Sequence, residues 1–399
     1  MLIKDIKLRK IFDSRANPTI EVEIFNDKEN SFRAEVSAGK SRGSREVKSL
    51  DFESADRVME EIIKPHCVDN EFSSIKEFDE YLIKLDTTNQ KEKLGGNVIL
   101  ALSMAFTRGI ANEQRKEDWQ AIRDEFFKDL STVKMPSIYS NFINGGSHAN
   151  NNLDIQEYWV IAKPQKSVLE TIEKLITFYK SVGDVLRKKY KKKYLAYGDE
   201  AGYVLDFKNN FEPIKLLGDM IVDLGFEHDF KLGLDVAASE FYKGGKYKWE
   251  GKSITSEALI KKYLEFFKKS PFLQAIEDPF HEDDKDGFEE LRSEITNKLI
   301  IGDDLTTTNP DSIKEASNDN LISGVIIKPT QIGSVSESCE AIKRAHAEGI
   351  KTIISHRSGE TGDNFLVHLA KSCNAEGVKI GAPFKERMLK FNELIRLYQ

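Results

Sequence analysis

Cysteine is scarce in this sequence: Cys67, Cys339 and Cys373 are the only three in 399 residues. An odd count without metal-like spacing argues against a disulfide framework or a structural zinc site, and a reducing cytoplasm is the simplest setting. Long apolar runs are missing as well. None approaches the ~20 residues that span a bilayer, and residues 1–7 hold no apolar core of signal-peptide length. Neither a membrane nor a secretory route is expected. Excess positive charge is absent too, since the formal net charge is −7, which argues against a general nucleic-acid binder. The one basic run, 187–193, reads as the solvated end of a helix ahead of a strand over 194–197. What remains, 40% hydrophobic and 31% charged residues, is an ordinary globular composition.

Two halves of different character follow each other. Residues 19–24 alternate at period two and read as a half-exposed strand, and 32–36 return as its partner after the Asn26-Asp27 turn. A basic, glycine-containing loop spans 37–45, and helical patterns follow over 55–63, 75–85 and 98–110. Strands first and helices after describe an α+β domain over residues 1–132. From 133 to 399, short apolar strands alternate with amphipathic helices. Asn309-Pro310 signals one helix start, and Ser334 with Glu337 another, which Gly349 can end.

In the second half a charge recurs wherever an apolar strand stops. Asp235, Glu277, Asp303, Lys328, His356 and Lys379 each close such a run, and from Glu277 to Lys379 the four steps are 23 to 28 residues long. That spacing fits one strand-helix unit per step, and about 250 residues is the usual size of an eight-stranded β/α barrel, whose strands all end on one face. A doubly wound open sheet is the rival, but no GxGxxG opens it.

Asp235, Glu277 and Asp303 form an oxygen-only donor set, which suits a hard cation such as Mg²⁺. Each acid could instead pair with a rim Arg or Lys. Lys328 and Lys379 follow on the same face. A lysine near other cations has its pKa lowered and becomes available as a base; a salt bridge to one of the carboxylates is the plainer alternative. Base and metal together imply proton abstraction beside a carboxylate, with the metal holding the enediolate charge. Arg357 and Ser358 form a weak anion-binding motif beside His356. His148 sits at the tip of the glycine-containing loop 144–152, of a kind that closes over substrates. Glu200 and Glu157 are candidates for the acid that protonates a leaving hydroxyl. Asp304 is expected to face the lysines and tune their charge.

These residues lie in longer motifs: Asp13-Ser14-Arg15-Ala16-Asn17-Pro18-Thr19, Gly145-Gly146-Ser147-His148-Ala149, Gly198-Asp199-Glu200, Gly233-Leu234-Asp235-Val236, Ile276-Glu277-Asp278-Pro279-Phe280, Gly302-Asp303-Asp304-Leu305-Thr306, Gln331-Ile332-Gly333-Ser334 and Ser355-His356-Arg357-Ser358-Gly359-Glu360-Thr361. In these motifs and their order the chain resembles the enolases, the phosphopyruvate hydratases of glycolysis, from end to end. The resemblance implies an α+β capping domain before a barrel that starts ββαα and continues in βα units. It implies that Asp235, Glu277 and Asp303 hold one Mg²⁺ and that Ser41 reaches a second, brought with the substrate. It further implies that Lys328 removes the C2 proton of 2-phosphoglycerate and Lys379 grips the carboxylate. Glu200, assisted by Glu157, protonates the departing hydroxyl to give phosphoenolpyruvate. His148 arrives with its loop, while Arg357 and Ser358 hold the phosphate and His356 lines the pocket beside them. A homodimer or larger homo-oligomer is implied, with no nucleic acid or membrane partner.

Departures from the family pattern cluster in the first loop. Enolases usually read Pro-Ser-Gly-Ala-Ser-Thr-Gly there, whereas this chain has Ser37-Ala38-Gly39-Lys40-Ser41-Arg42-Gly43, placing two cations beside Ser41. They either attract the phosphate or repel the second metal. Thr330 replaces the usual Asn, Ala201 and Ala16 each replace a Gly, and Asn150 stands for a loop Gly. None removes a catalytic group. Two other readings stand beside the hydratase: a paralogue acting on a different 2-hydroxy acid or its phosphate, and a binding protein on a retired fold.

Overall fold

Residues 1–40 and 43–399 are described by the computed structural model, so Ser41, the expected second-metal residue, and Arg42 lie outside the described residues. The chain opens with an antiparallel sheet of β1 (Ile3–Phe12), β2 (Pro18–Asn26) and β3 (Ser31–Glu35), in that order. The period-two alternation of β2 sends Ile20, Val22 and Ile24 into the core. Glu21 and Glu23, on its other face, are covered by Arg9, which donates to Glu21 at 2.7 Å and also to Glu23. β1 has no expected counterpart. Lys4, Lys7, Arg9 and Lys10 break its apolar alternation, as suits an edge strand protected against further pairing.

The expected helices are present and longer. Residues 55–63 lie inside a continuous helical stretch, Phe52–Val58, Met59–Ile63 and Lys64–Cys67, whose middle segment is a π-turn. Pro65 has no N–H to give the preceding turn, which accounts for the wider winding there. The others run Ile75–Asp86 and Gly96–Glu113. The last of these is buried along most of its length because it packs against β2 and β3.

The second half is the closed barrel. β4 (Ser137–Asn144) and β5 (Glu157–Ala162) come first, then helix Val168–Lys189. A short ribbon of β6 (Ala196–Tyr197) and β7 (Tyr203–Val204) precedes helix Glu212–Asp223 and β8 (Phe230–Asp235). A small meander of β9 (Tyr242–Lys243), β10 (Lys246–Trp249) and β11 (Lys252–Ile254) packs outside. β12 (Leu273–Glu277), β13 (Leu299–Gly302), β14 (Gly324–Ile327), β15 (Lys351–Ser355) and β16 (Gly377–Ile380) then alternate with helices. The ring is β4-β5-β8-β12-β13-β14-β15-β16, closed by parallel pairing of β16 with β4. Only β5 runs against its neighbours. This is the ββαα opening followed by βα units. Tyr139, Trp159, Ile161, Ala275, Ile301, Ile326 and Ile353 fill the interior, so the barrel is a packed core with no pore.

Helix starts obey their local signals: the Asn309 side chain caps Asp311 and Ser312, Ser334 caps Glu337, and Gly349 takes φ +70° at the end of that helix. The two halves are pinned by Arg108, whose guanidinium donates to Asp363 beyond β15 at 2.7 and 2.8 Å.

Candidate active site

Because β5 is reversed, its first residue, Glu157, lies at the same rim as the last residues of its neighbours. Register places Glu157 opposite Asp235 and Asp235 opposite Glu277. Asp303 follows β13, Lys328 follows β14, His356 follows β15, and Lys379 sits in β16 beside Ser355. One cleft is lined by Lys40, His148, Glu157, Glu200, Asp235, Asp303, Lys328, His356, Arg357, Ser358 and Lys379. Every expected site residue except Glu277, beneath it, and Ser41, outside the described residues, borders that cleft.

Lys379 is the hub. Its Nζ lies 2.9 Å from Asp235, 3.0 Å from both oxygens of Glu277, 3.4 Å from Glu157 and 4.6 Å from the centre of the Trp159 ring. The Trp159 indole donates to Glu157 at 2.7 Å. Lys328 is hydrogen-bonded to Asp303, whose other oxygen accepts from Gln331 at 2.9 Å. Both lysines therefore make the ion pairs that were the plainer alternative. Burial pulls each ammonium down, but Asp303 raises Lys328, and Asp235, Glu157 and Glu277 raise Lys379 well above its ordinary value. The lowered lysine pKa expected from sequence is thus reversed, because carboxylates outnumber cations at this end of the barrel.

Among the acids, burial and the charge of Asp235 push Glu277 well up, while Lys328 and Lys379 overcome burial to hold Asp303 down. Oxygen donors alone, buried at three neighbouring strand ends with an ammonium already seated between two of them, fit a hard divalent cation. Among the described residues a second acidic grouping shares Asp303: ligand atoms of Asp278, Asp303 and Asp304 lie within 4.8 Å of one another. Asp278 is a bracket, its two oxygens accepting the N–H groups of Asp303 at 2.9 Å and Asp304 at 2.7 Å. Burial and Asp303 push Asp304 up to about 8, with Lys328 acting against them.

Opposite the lysines, His148 Nδ1 is 3.5 Å from Glu157 and 3.7 Å from Glu200, and His356 Nε2 is 3.5 Å from Glu200. Burial and the Glu200 charge push Glu157 well above the carboxylate range; against burial, His356 and His148 hold Glu200 well below it. The two carboxyls are thus pushed in opposite directions, as interacting acids that titrate as a pair. Burial lowers the imidazoles of His356, to about 4, and His148, in each case against Glu200.

At the far end of the cleft, Arg357 donates to Thr330 at 2.7 Å and to Glu46 at 3.3 Å. Ser358 Oγ accepts from the Lys40 N–H at 3.0 Å and from Arg15 at 3.3 Å. Gly39 is required here, since a Cβ on it would lie 2.0 Å from the Arg357 guanidinium. Lys40 Nζ reaches across to the Ser147 carbonyl at 2.6 Å and to Asp199 at 3.5 Å, joining the first loop to the His148 loop.

Sequence reasoning gave no role to four supports. Glu46 and Gln331 hold Arg357 and Asp303, and Asn141 donates to Glu200 at 3.2 Å. The fully buried Arg387 donates to His356 Nδ1 at 3.1 Å and to three backbone carbonyls.

Known proteins match over the same span. Residues 132–399 fit the family model described as "Enolase, C-terminal TIM barrel domain", and residues 3–122 fit "Enolase, N-terminal domain". A protein named enolase from Elusimicrobium minutum is 36% identical, with all of this chain and 96% of that protein covered. Another, from Methanocaldococcus jannaschii, is 35% identical over all of this chain and 95% of its own length. A third, from Sulfolobus acidocaldarius, is 34% identical over 99% of this chain and 95% of its own.

Proposed function

Given that the chain belongs to the enolase family over its whole length, we propose that it is a Mg²⁺-dependent lyase interconverting 2-phosphoglycerate and phosphoenolpyruvate. The observation that carries this reading is the gathering of Asp235, Glu277, Asp303, Lys328 and Lys379 at one rim, opposite Glu157 and Glu200. Asp235, Glu277 and Asp303 would hold the metal, which when bound supplies positive charge to the substrate carboxylate and its enediolate.

The chain's own groups do the rest. Lys328 is the group placed to take the C2 proton; it would be freer to do so as a neutral amine where Asp303 served the metal instead of its ammonium. Lys379 orients the carboxylate. On the opposite side the Glu157–Glu200 pair delivers one proton to the C3 hydroxyl, which leaves as water. His148 and His356, their imidazoles lowered by burial, line the pocket, and Arg357 with Ser358 positions the phosphate. Ser41 is assigned to a second metal on the family pattern alone. The same reading divides the chain after residue 132 and makes it a cytoplasmic homodimer or larger homo-oligomer.

The test is the enol absorbance that develops from 2-phosphoglycerate with Mg²⁺ and disappears with excess chelator. No turnover with the metal, or turnover only of another hydroxy acid, overturns the substrate assignment. Lys328→Ala should lower kcat by about 10²–10⁴-fold and abolish solvent exchange at C2. Persisting exchange would mean that another group is the base.

A further inference from the structure

Every strand that brings a site residue to the upper rim also ends at a lower one. There Lys163 follows the reversed strand β5, Lys231 opens the body of β8, Lys298 precedes β13, Lys351 begins β15 and Glu376 precedes β16. Together they line a cavity of about 450 Å³ beneath Tyr139, Ala275 and Leu299, the lowest layer of the barrel interior. Four lysines against one glutamate is a local excess of positive charge in a chain whose net charge is −7.

That charge is not neutralised internally. The adjacent Asp229 carboxylate is taken by Lys174 at 2.9 Å, and Glu376 faces Lys351 at 3.7 Å. Among the described residues no carboxylate pairs with Lys163, Lys231 or Lys298. Lys298 donates only to the Leu273 carbonyl, at 3.0 Å, and lies over Phe267, while the Lys231 ammonium lies over Phe272 at 5.2 Å. Each ammonium has three donors, so most remain available. Burial, and then the charge of Lys163, lower Lys231; burial and Lys231 lower Lys298. These groups are close enough to repel one another and lack an anion between them.

We propose that this lower face of the barrel is a binding site for a small polyanion carrying two or more phosphate or carboxylate groups. The cavity lies within the ~300–1,000 Å³ range of small-ligand sites, and its concave shape with an apolar roof favours a compact anion over an extended backbone. Gln274 and Asn297 add neutral amides to its wall. The site is separate from the upper rim and does not depend on the reaction there.

The test is calorimetric titration of the full chain with pyrophosphate, tripolyphosphate and citrate, with chelator present to suppress metal-dependent binding above. Lys163→Glu changes an exposed side chain, and with Lys298→Gln it should weaken binding by about tenfold or more at an unchanged melting temperature. Lys163→Glu alone keeps the test valid if the double variant folds poorly. Preference for citrate or for the phosphates identifies the anion class. Affinity unchanged in Lys163→Glu, affinity lost instead in Arg357→Gln, or binding of a single-stranded oligonucleotide but none of the small anions each overturns the proposal.

Discussion

His356 is neutral in the folded protein, because burial lowers its imidazole to about 4 in spite of Glu200 3.5 Å away. An exposed imidazole titrates near ~6.5. The folded value is the lower one, so the stability contributed by the neutral ring is complete above that pH and is lost as pH falls through about 4. Melting curves between neutral pH and about 4 should fall more steeply for the wild type than for His356→Gln; identical slopes would show that the ring is not the group responsible. Lys40 presents the opposite case, an exposed cation whose contribution is mechanical. Its bonds to Ser147 and Asp199 tie two loops across the cleft. Lys40→Ala should therefore speed amide exchange over 144–152 and raise KM several-fold. Unaltered exchange would leave Lys40 as a solvated charge.

At the level of strands and helices, the most legible feature of the sequence was the apolar run ending in a charge. A strand covered on both faces has no polar positions until it reaches the rim, so β8 announces Asp235, and β12 Glu277, without any structure. Glu200 was harder to place because β6 and β7 have two residues each, too few to show a period. The supports Glu46, Asn141 and Gln331 were illegible for another reason: each acts on a residue 28 or more positions away, and no local pattern encodes that pairing. The join between the halves has the same character. Arg108 is an ordinary helix residue in sequence, yet it holds Asp363 well enough to keep that carboxylate, despite burial, below its usual range. Removing one partner of a buried pair costs about 3–5 kcal/mol. Asp363→Asn should lower unfolding stability at neutral pH by roughly that amount, with the difference narrowing as pH falls below the carboxylate range. A denaturant midpoint equal to wild type would mean that the join is held elsewhere.

For the molecule as a whole, the barrel separates two charge problems onto opposite rims. The upper rim concentrates acids around two lysines, and the lower rim concentrates lysines around one glutamate. A cation bound only by the folded upper rim must stabilise the entire chain: at about a hundred times its dissociation constant the gain is about 2.7 kcal/mol. Mg²⁺ should therefore raise the melting temperature of the wild type, and chelator should reverse the rise. Asp303→Asn should abolish it. A rise that survives in Asp303→Asn would place the cation elsewhere.

The Trp159 indole donates to Glu157, and its ring centre lies 4.6 Å from the Lys379 ammonium. It is fully buried, and the chain's other two tryptophans, Trp119 and Trp249, lie on the helix before the barrel and in the outer meander. An indole's emission responds to the electric field across its ring, and no other tryptophan here lies between an acid and an ammonium of the site. The protein therefore contains its own optical sensor: with Trp119 and Trp249 replaced by Phe, the emission colour of a single residue would register each charge that enters or leaves the upper rim.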